Sequence, residues 1–374
     1  MNKQSYDIIF YYPQHFNRDK KARNSFFSPL LAICKSNNIH YLVLEEPDKK
    51  TELARNQEAI PFDIYFYIIL IFRKLIPTCI FKKKDKKEQL IGDIMRKITL
   101  AKFNAKIIIT LSNSMGGFWR GYNKNARIID YQHGIIYKNH PGYFNKGQAA
   151  SNIFQNNKEV AVWGKGFYDV FEKNKKYYKN KVHILGYPQL SEKEKVVTTY
   201  NKRLIFSLQF VPELTIDIKK EMLIEIKKTL NEINKLSKET KPRVLLVNHP
   251  RHNYTIDLTS LANKFNFVSI INSDELIYNQ DYLLHITFYS TTCFEMAMKG
   301  IPTYFLSSKK IRNNKIFIED YNYPITQRNS ITECIKLYHN KQTRTEHGYL
   351  VKEWSKYYFQ PLDADLFLEF INKT

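Results

Sequence analysis

The chain has 374 residues, 43% of them hydrophobic, with 26 Tyr and 25 Phe but only 12 Gly and 13 Pro. That balance excludes a disordered or low-complexity chain and leaves room for two domains of ordinary size. Lys and Arg number 58 against 36 acids, a net charge of +22, which speaks of partners rather than fold: nucleic acid, an anionic membrane surface or phosphate-bearing substrates.

The first residues, MNKQSYDIIFYYP, lack the apolar core and cleavage site of a signal peptide. Residues 6–12 (YDIIFYY) read as a buried strand ended by Pro13, with His15 in the turn that follows. Residues 28–35 read as a helix and 39–44 (IHYLVL) as a second strand. Residues 64–72 (IYFYIILIF) are strongly apolar and run into Arg73-Lys74, Pro77 and a lysine cluster at 82–87. This stretch is too short for a bilayer, which needs about 20 residues. It suits either a core helix beside a solvated loop or an interfacial segment on anionic lipid. A helix is expected over 88–103, a strand over 106–111 with a loop at 112–117, and a strand over 126–131 that delivers Gln132-His133-Gly134. Shorter strands follow at 160–163 and 182–185, and residues 191–202 have the polar composition of a linker.

A second alternating series then begins. Strands are expected over 204–208, 243–247, 267–271, 283–287 and 302–306. Helices are expected over 215–236, 258–265, 291–299, with Gly300 as its C-cap, 330–338 and beyond Thr343. Strands alternating with helices imply parallel sheets, and two such series imply an α/β protein of two Rossmann-like domains facing a cleft. The expected division is an acceptor domain over 1–188, a donor domain over 189–345, and a helical segment over 346–374 returning to the first domain.

Parallel sheets bind ligands at the carboxyl ends of their strands, which singles out three stretches. His133 precedes a Gly and can take a hydroxyl proton near neutral pH, with Gly134 letting a substrate approach the backbone. Asp130 is a candidate to orient that imidazole if the strand end bends. His249-Pro250-Arg251 follows RVLLVN and suits a phosphate, Arg251 through its fork of donors. Ser290-Thr291-Thr292 opens a helix, where amides and dipole favour an anion, and Glu295 one turn on suits ribose hydroxyls. Lys138, His15, Ser112, Asn113 and Ser114 are further acceptor or phosphate candidates. Each stretch also has a purely structural explanation: a strand-end turn for His133, a basic surface loop for Arg251, simple capping for Ser290. His183 and His285 fall in apolar strands and read as core residues. Cys34, Cys79, Cys293 and Cys334 form no CxxC pair, so reduced thiols, no metal and a cytoplasmic location are expected. No zinc-finger spacing or RNA-binding signature accompanies the charge, so nucleic acid is not the expected partner.

The layout, with KVHILGYP at the domain junction, VLLVNHPRH, and HITFYSTTCFEMAMKGIPTYFL, resembles glycosyltransferases of the two-Rossmann, or GT-B, type. The resemblance implies nucleotide binding mainly in the second domain and no bound metal or other cofactor. The His249-Pro250 pair with Ser290-Thr291 is similar to bacterial transferases using CMP-activated sugars, the sialyl- and Kdo-transferases, in which these pairs contact the CMP phosphate. The acidic base motif of the sialyl enzymes is replaced by Gln132-His133-Gly134. A second resemblance is to teichoic-acid-type polyol-phosphate transferases, through His133, Gly134 and Lys138, although Phe288 stands where they carry Asp. The expected function is an inverting, metal-independent glycosyltransferase of capsule or lipopolysaccharide synthesis. Its expected partners are a nucleotide-sugar donor, a lipid-linked or glycan acceptor, and the inner face of the cytoplasmic membrane. The alternatives are a CDP-polyol phosphotransferase, a UDP-sugar epimerase-like protein and a nucleic-acid-binding protein.

Overall fold

The structure, a computed structural model, describes residues 5–17, 21–49, 53–172, 175–190, 202–249, 252, 255–271, 282–308, 310–311, 315–326 and 330–373. The chain divides into two compact units, Met1–Ser191 with Phe359–Thr374, and Glu192–Tyr358.

The first unit is built on strands β1 (Ser5–Pro13), β2 (Tyr41–Glu46), β3 (Ile60–Pro61), β4 (Asn104–Leu111) and β5 (Arg127–Tyr131). A short antiparallel ribbon follows, β6 (Phe144–Asn145) with β7 (Gln148–Ala149), and then β8 (Lys158–Val162) and β9 (Val182–Ile184). The seven-stranded sheet runs β3-β2-β1-β4-β5-β8-β9, and all its pairings are parallel. Strands covered on both faces read as unbroken apolar runs. Accordingly Ile8, Ile9, Phe10, Tyr11 and Tyr12 are all fully buried. The expected helix over 88–103 is found at Lys84–Ile98. It ends early because Leu100 and Ala101 take left-handed backbone angles, φ 50° and 58°, which no helix accommodates.

Residues 64–72 lie in a helix, Asp63–Leu75, one side of which matches the core-helix reading. Its inner side, with Phe66, Ile69 and Phe72, packs against a core that includes Leu42, Ile91 and Trp119. Its outer side leaves Ile64, Tyr67, Ile71 and Leu75 exposed. Among the described residues, no helix is long and apolar enough to cross a membrane.

The second unit carries β10 (Arg203–Ser207), β11 (Arg243–Val247), β12 (Val268–Ile271), β13 (Leu284–Thr287) and β14 (Thr303–Phe305). They form a parallel sheet in the order β12-β11-β10-β13-β14. The helix Ile216–Asn234 starts where Thr215 caps the Ile218 amide, and it buries Met222, Ile226, Leu230 and Ile233 against the strands. The helix Thr292–Met298 ends at Gly300 in the left-handed region, φ 73°, the expected cap. Phe294 of that helix stacks on Trp354 of the long helix Lys341–Tyr358, with centroids 4.6 Å apart. The latter helix therefore stays with the second unit, and the chain re-enters the first at Phe359 rather than at residue 346.

The Gly-Tyr-Pro stretch read as a domain junction is also the docking point for that returning segment. Gly186 has φ +93°, and a Cβ there would stand 2.1 Å from the Pro361 carbonyl oxygen. The Tyr187 amide donates to the Gln360 carbonyl at 2.6 Å.

The two strand histidines part ways. His183 is half-buried, with Nε2 2.8 Å from Glu159 Oε2. His285 is fully buried between Ser207 Oγ (2.9 Å) and Thr303 Oγ1 (3.0 Å). Burial lowers its pKa from 6.5 to about 3. The unfolded chain therefore binds a proton that the folded one refuses. Stability from this site is fully present above pH 6.5 and falls as the pH drops toward 3. The expected loss is about 3 kcal/mol between pH 6.5 and pH 4. Urea midpoints measured across that range should fall less steeply for His285→Gln than for wild type; parallel profiles would refute the assignment.

Candidate active site

Where strand order reverses in a parallel sheet, adjacent crossovers leave on opposite faces and open a crevice at the carboxyl edge. In the first unit the reversal falls between β1 and β4. His15 and Phe16 follow β1, and the 112–115 turn follows β4, so the two flank that point. His15 Nδ1 lies 2.6 Å from Oδ2 of Asp48, in the loop after β2. The buried Phe16 ring stands 4.5 Å from the His15 ring and 5.5 Å, nearly perpendicular, from the His133 ring. Two imidazoles from different loops thus flank one phenyl group.

His133 is half-buried just beyond β5. Its neighbour Gln132 is fully buried and fixes the loop twice, donating to the Gly134 carbonyl (2.8 Å) and accepting from the Trp163 amide at the end of β8 (2.9 Å). A Cβ at Gly134 would meet nothing within 4 Å, so the space over that backbone is open to a substrate. Lys138 is exposed further along the same loop.

Asp130 does not orient His133. It is fully buried and accepts from the Asn113 amide (2.6 Å), the Tyr143 hydroxyl (2.6 Å) and Thr110 Oγ1 (3.4 Å). Burial pushes its pKa up, and the nearby Lys158 charge and these donors pull it back. Lys158 is also fully buried, its pKa lowered by desolvation against the pull of Asp130. It donates to Asn113 Oδ1 at 3.0 Å, so Asn113 bridges the two charges. The helix Gly116–Tyr122 begins directly over this lysine, and a Cβ on Gly116 would sit 1.9 Å from Lys158 Cε.

The 112–115 turn is strained, with Ser112, Asn113 and Met115 all left-handed at φ 58°, 55° and 52°. Such residues cost of order 1 kcal/mol each and cluster at functional sites. Asn113, Gly116 and Gly117 line a pocket of 360 Å³ with Arg73, Lys84 and Lys158. Ser114 is half-buried beside it and Ser112 is exposed.

In the second unit the reversal falls between β10 and β13. Thr287, the last residue of β13, offers its hydroxyl to the Ser207 carbonyl (3.1 Å) and to Gln209 Oε1 (3.2 Å), and accepts from the Ser290 amide (3.2 Å). Ser290 Oγ accepts from the Thr292 amide (3.3 Å) and donates to Thr292 Oγ1 (2.9 Å). Ser290 thus starts the helix, with Thr291 half-buried at its edge. Glu295 is half-buried in the first turn, where its carboxylate already answers the helix dipole. That suits hydroxyl groups better than another anion. His249 is half-buried two residues beyond β11, the strand next to β10. Pro250 and Arg251 lie outside the described residues.

Sequence reasoning passed over Asp48, Lys158, Gln209, Thr287 and the clamp on Asp130. The available signal was polar residues inside otherwise apolar strands: Thr110 in NAKIIITL, Asp130 in RIIDY, Lys158 in KEVAV.

No family model matches the sequence, and no curated protein matches it. Solved structures do. UDP-GlcNAc 2-epimerase from Methanocaldococcus jannaschii superimposes with a TM-score of 0.57 at 11% identity, over 98% of this chain and 100% of that one. The wall teichoic acid polymerase TagF gives 0.58 at 11%, over 98% and 88%. The pneumococcal O-GlcNAc transferase GtfA gives 0.59 at 10%, over 98% and 99%. The chain has a GT-B fold. At these identities the likeness carries the architecture, and chemistry has to be argued from side chains.

Replacing Asp130 by Ala would strand Lys158 as a buried charge with its bridge broken. The expected cost is about 3–5 kcal/mol, read as a lowered urea midpoint. A cost under 1 kcal/mol would show that the clamp is not structural.

Proposed function

We propose that the protein is a glycosyltransferase that moves a sugar from a nucleotide-activated donor to a glycan acceptor of a bacterial surface polymer. The observation that carries this reading is the pair of reversal points, each furnished with polar side chains of a different kind. The first unit's edge holds imidazoles suited to accepting a proton. The second unit's edge gathers the hydroxyls of Thr287, Ser290 and Thr292 at a helix start, neutral groups able to turn toward a phosphate. Solved neighbours with this fold were obtained with UDP-GlcNAc or UDP bound, which supports a nucleotide-sugar donor.

In the proposed reaction the acceptor hydroxyl gives its proton to His133 as its oxygen bonds to the anomeric carbon. The bond from that carbon to the donor phosphate breaks, and the nucleotide leaves with the electron pair. Attack from the face opposite the leaving group inverts the anomeric configuration. His249, Arg251 and the Ser290–Thr292 segment would hold the departing phosphate, and Glu295 the ribose. Charge neutralised by basic side chains and hydroxyl donors would let the step proceed without a metal. The His249-Pro250 and Ser290-Thr291 pairs favour a CMP-activated donor, as in capsule or lipopolysaccharide synthesis. The acceptor would be lipid-linked at the cytoplasmic membrane.

A second assignment of the base has its own support: His15 carries a carboxylate on Nδ1 at 2.6 Å, the arrangement that orients an imidazole and stabilises its charged form. Polyol-phosphate transfer is favoured by His133, Gly134 and Lys138. It is disfavoured by Phe288, which fills the core at the place of that family's Asp.

The test is transfer from CMP-, CDP- and UDP-activated donors to a glycan acceptor. His133→Ala should lower turnover about 10²- to 10⁴-fold while nucleotide binding, followed by thermal shift, stays near wild type. Full turnover in that variant, with loss in His15→Ala, would move the base to His15. Sugar-nucleotide turnover without any acceptor would mark an epimerase instead.

A further inference from the structure

We propose that the helix Asp63–Leu75 and the lysine run that follows it form a docking surface for an anionic phospholipid bilayer. Ile64, Tyr67, Ile71 and Leu75 recur at the spacing of one helical face, and all four point to solvent, Ile64 being 73% exposed and Leu75 69%. A helix that buries one side against a core normally turns a polar side outward. This one is apolar on both.

The exposed stripe continues along the chain. Pro77, Thr78, Cys79 and Ile80 are exposed, Ile80 at 70%, and then Lys82, Lys83, Lys84 and Lys86 are exposed as well. Lys74 stands in the helix's last turn, and Lys49 sits over the Tyr67 ring at 5.2 Å. An apolar stripe bordered by cations is complementary to a lipid interface, where side chains insert among acyl chains and ammonium groups meet phosphates.

The 360 Å³ pocket adds a second observation. It opens on the same segment, and Arg73, Lys84, Lys87 and Lys158 in its lining outnumber Asp85 and Glu88. Arg73 is held bidentately by Glu88, and Lys87 by the Arg73 carbonyl and Thr78. Lys84 is left exposed at the mouth. A headgroup phosphate from a bilayer lying on the stripe would meet this cationic opening. At 13 residues, the helix would lie in the interface plane and not cross it. Such docking needs neither donor nor acceptor, so it stands or falls apart from the transferase reading.

The test is flotation of the full chain with vesicles of phosphatidylcholine alone and of phosphatidylcholine mixed with phosphatidylglycerol. Wild type should float with the mixed vesicles only. Lys82→Gln, Lys83→Gln, Lys84→Gln and Lys86→Gln combined should weaken binding by two orders of magnitude or more, at about fivefold per lysine. Ile71→Glu with Leu75→Glu should also abolish flotation. All six side chains are exposed, so both variants should keep the wild-type melting temperature. Failure of wild type to float, or wild-type flotation by either variant, overturns the proposal. So does a wild-type dimer in sedimentation that Ile71→Glu with Leu75→Glu converts to monomer, because the face would then belong to a second copy of the chain.

Discussion

A carboxylate shut off from water organises the candidate acceptor edge. Asp130 can remain buried only because donors from separate segments converge on it: the Asn113 amide from the turn after β4, the Tyr143 hydroxyl from beyond the His133 loop, and Thr110 from β4 itself. Each donor answers part of the desolvation cost of the acid, and in doing so each segment gives up its freedom. The loop carrying His133 is thereby held at both ends, by Gln132 against β8 and by Tyr143 against Asp130. Lys158 completes the arrangement from below, through Asn113 and under Gly116. A site that must hold reacting groups within fractions of an ångström needs such support behind it.

The second unit reaches a comparable end with neutral groups. Thr287, Gln209 and Ser290 tie β13, the segment after β10 and a helix start together without a buried charge. The difference fits the parts assigned to the two edges. A phosphate site gains from neutral hydroxyl donors, and a fully buried carboxylate among those donors would oppose an anion. A proton acceptor gains from a rigid seat more than from local charge. The imidazole deepest in the second unit, His285, is used as packing, with both nitrogens satisfied inside the sheet.

Much of the architecture was legible because parallel strands covered on both faces leave a plain mark. YDIIFYY, KIIITL and RVLLV are apolar without alternation, and all three are strands. Boundaries shifted where backbone angles decided them, as at Leu100 and Ala101, whose left-handed turn no side-chain pattern announces. Loop candidates at strand ends were legible for the same reason as the strands: His15, His133, His249 and Ser290 all follow apolar runs. What was hidden is the pairing across sequence distance. Asp48 lies 33 residues from His15, and Lys158 lies 45 from Asn113. Only strand order brings such residues together, and the sequence does not state that order. The stretch 64–72 was ambiguous for a different reason: its composition is apolar all round, and only burial distinguishes its two sides.

The first unit is closed by residues that follow the whole second unit in the chain. Phe359 packs among Trp163, Phe167 and Tyr187, and Arg127 holds the carbonyls of Phe370 and Lys373 while lying over the Phe370 ring. On the ribosome, the amino-terminal sheet must therefore wait, with an aromatic flank uncovered, while the whole intervening unit is translated. Contacts spanning so much chain close slowly, and an uncovered apolar flank is a place where nascent chains stick to one another. Wiring that joins segments on either side of the second unit thus makes biogenesis a problem of timing, one that a chaperone holding the early half would ease.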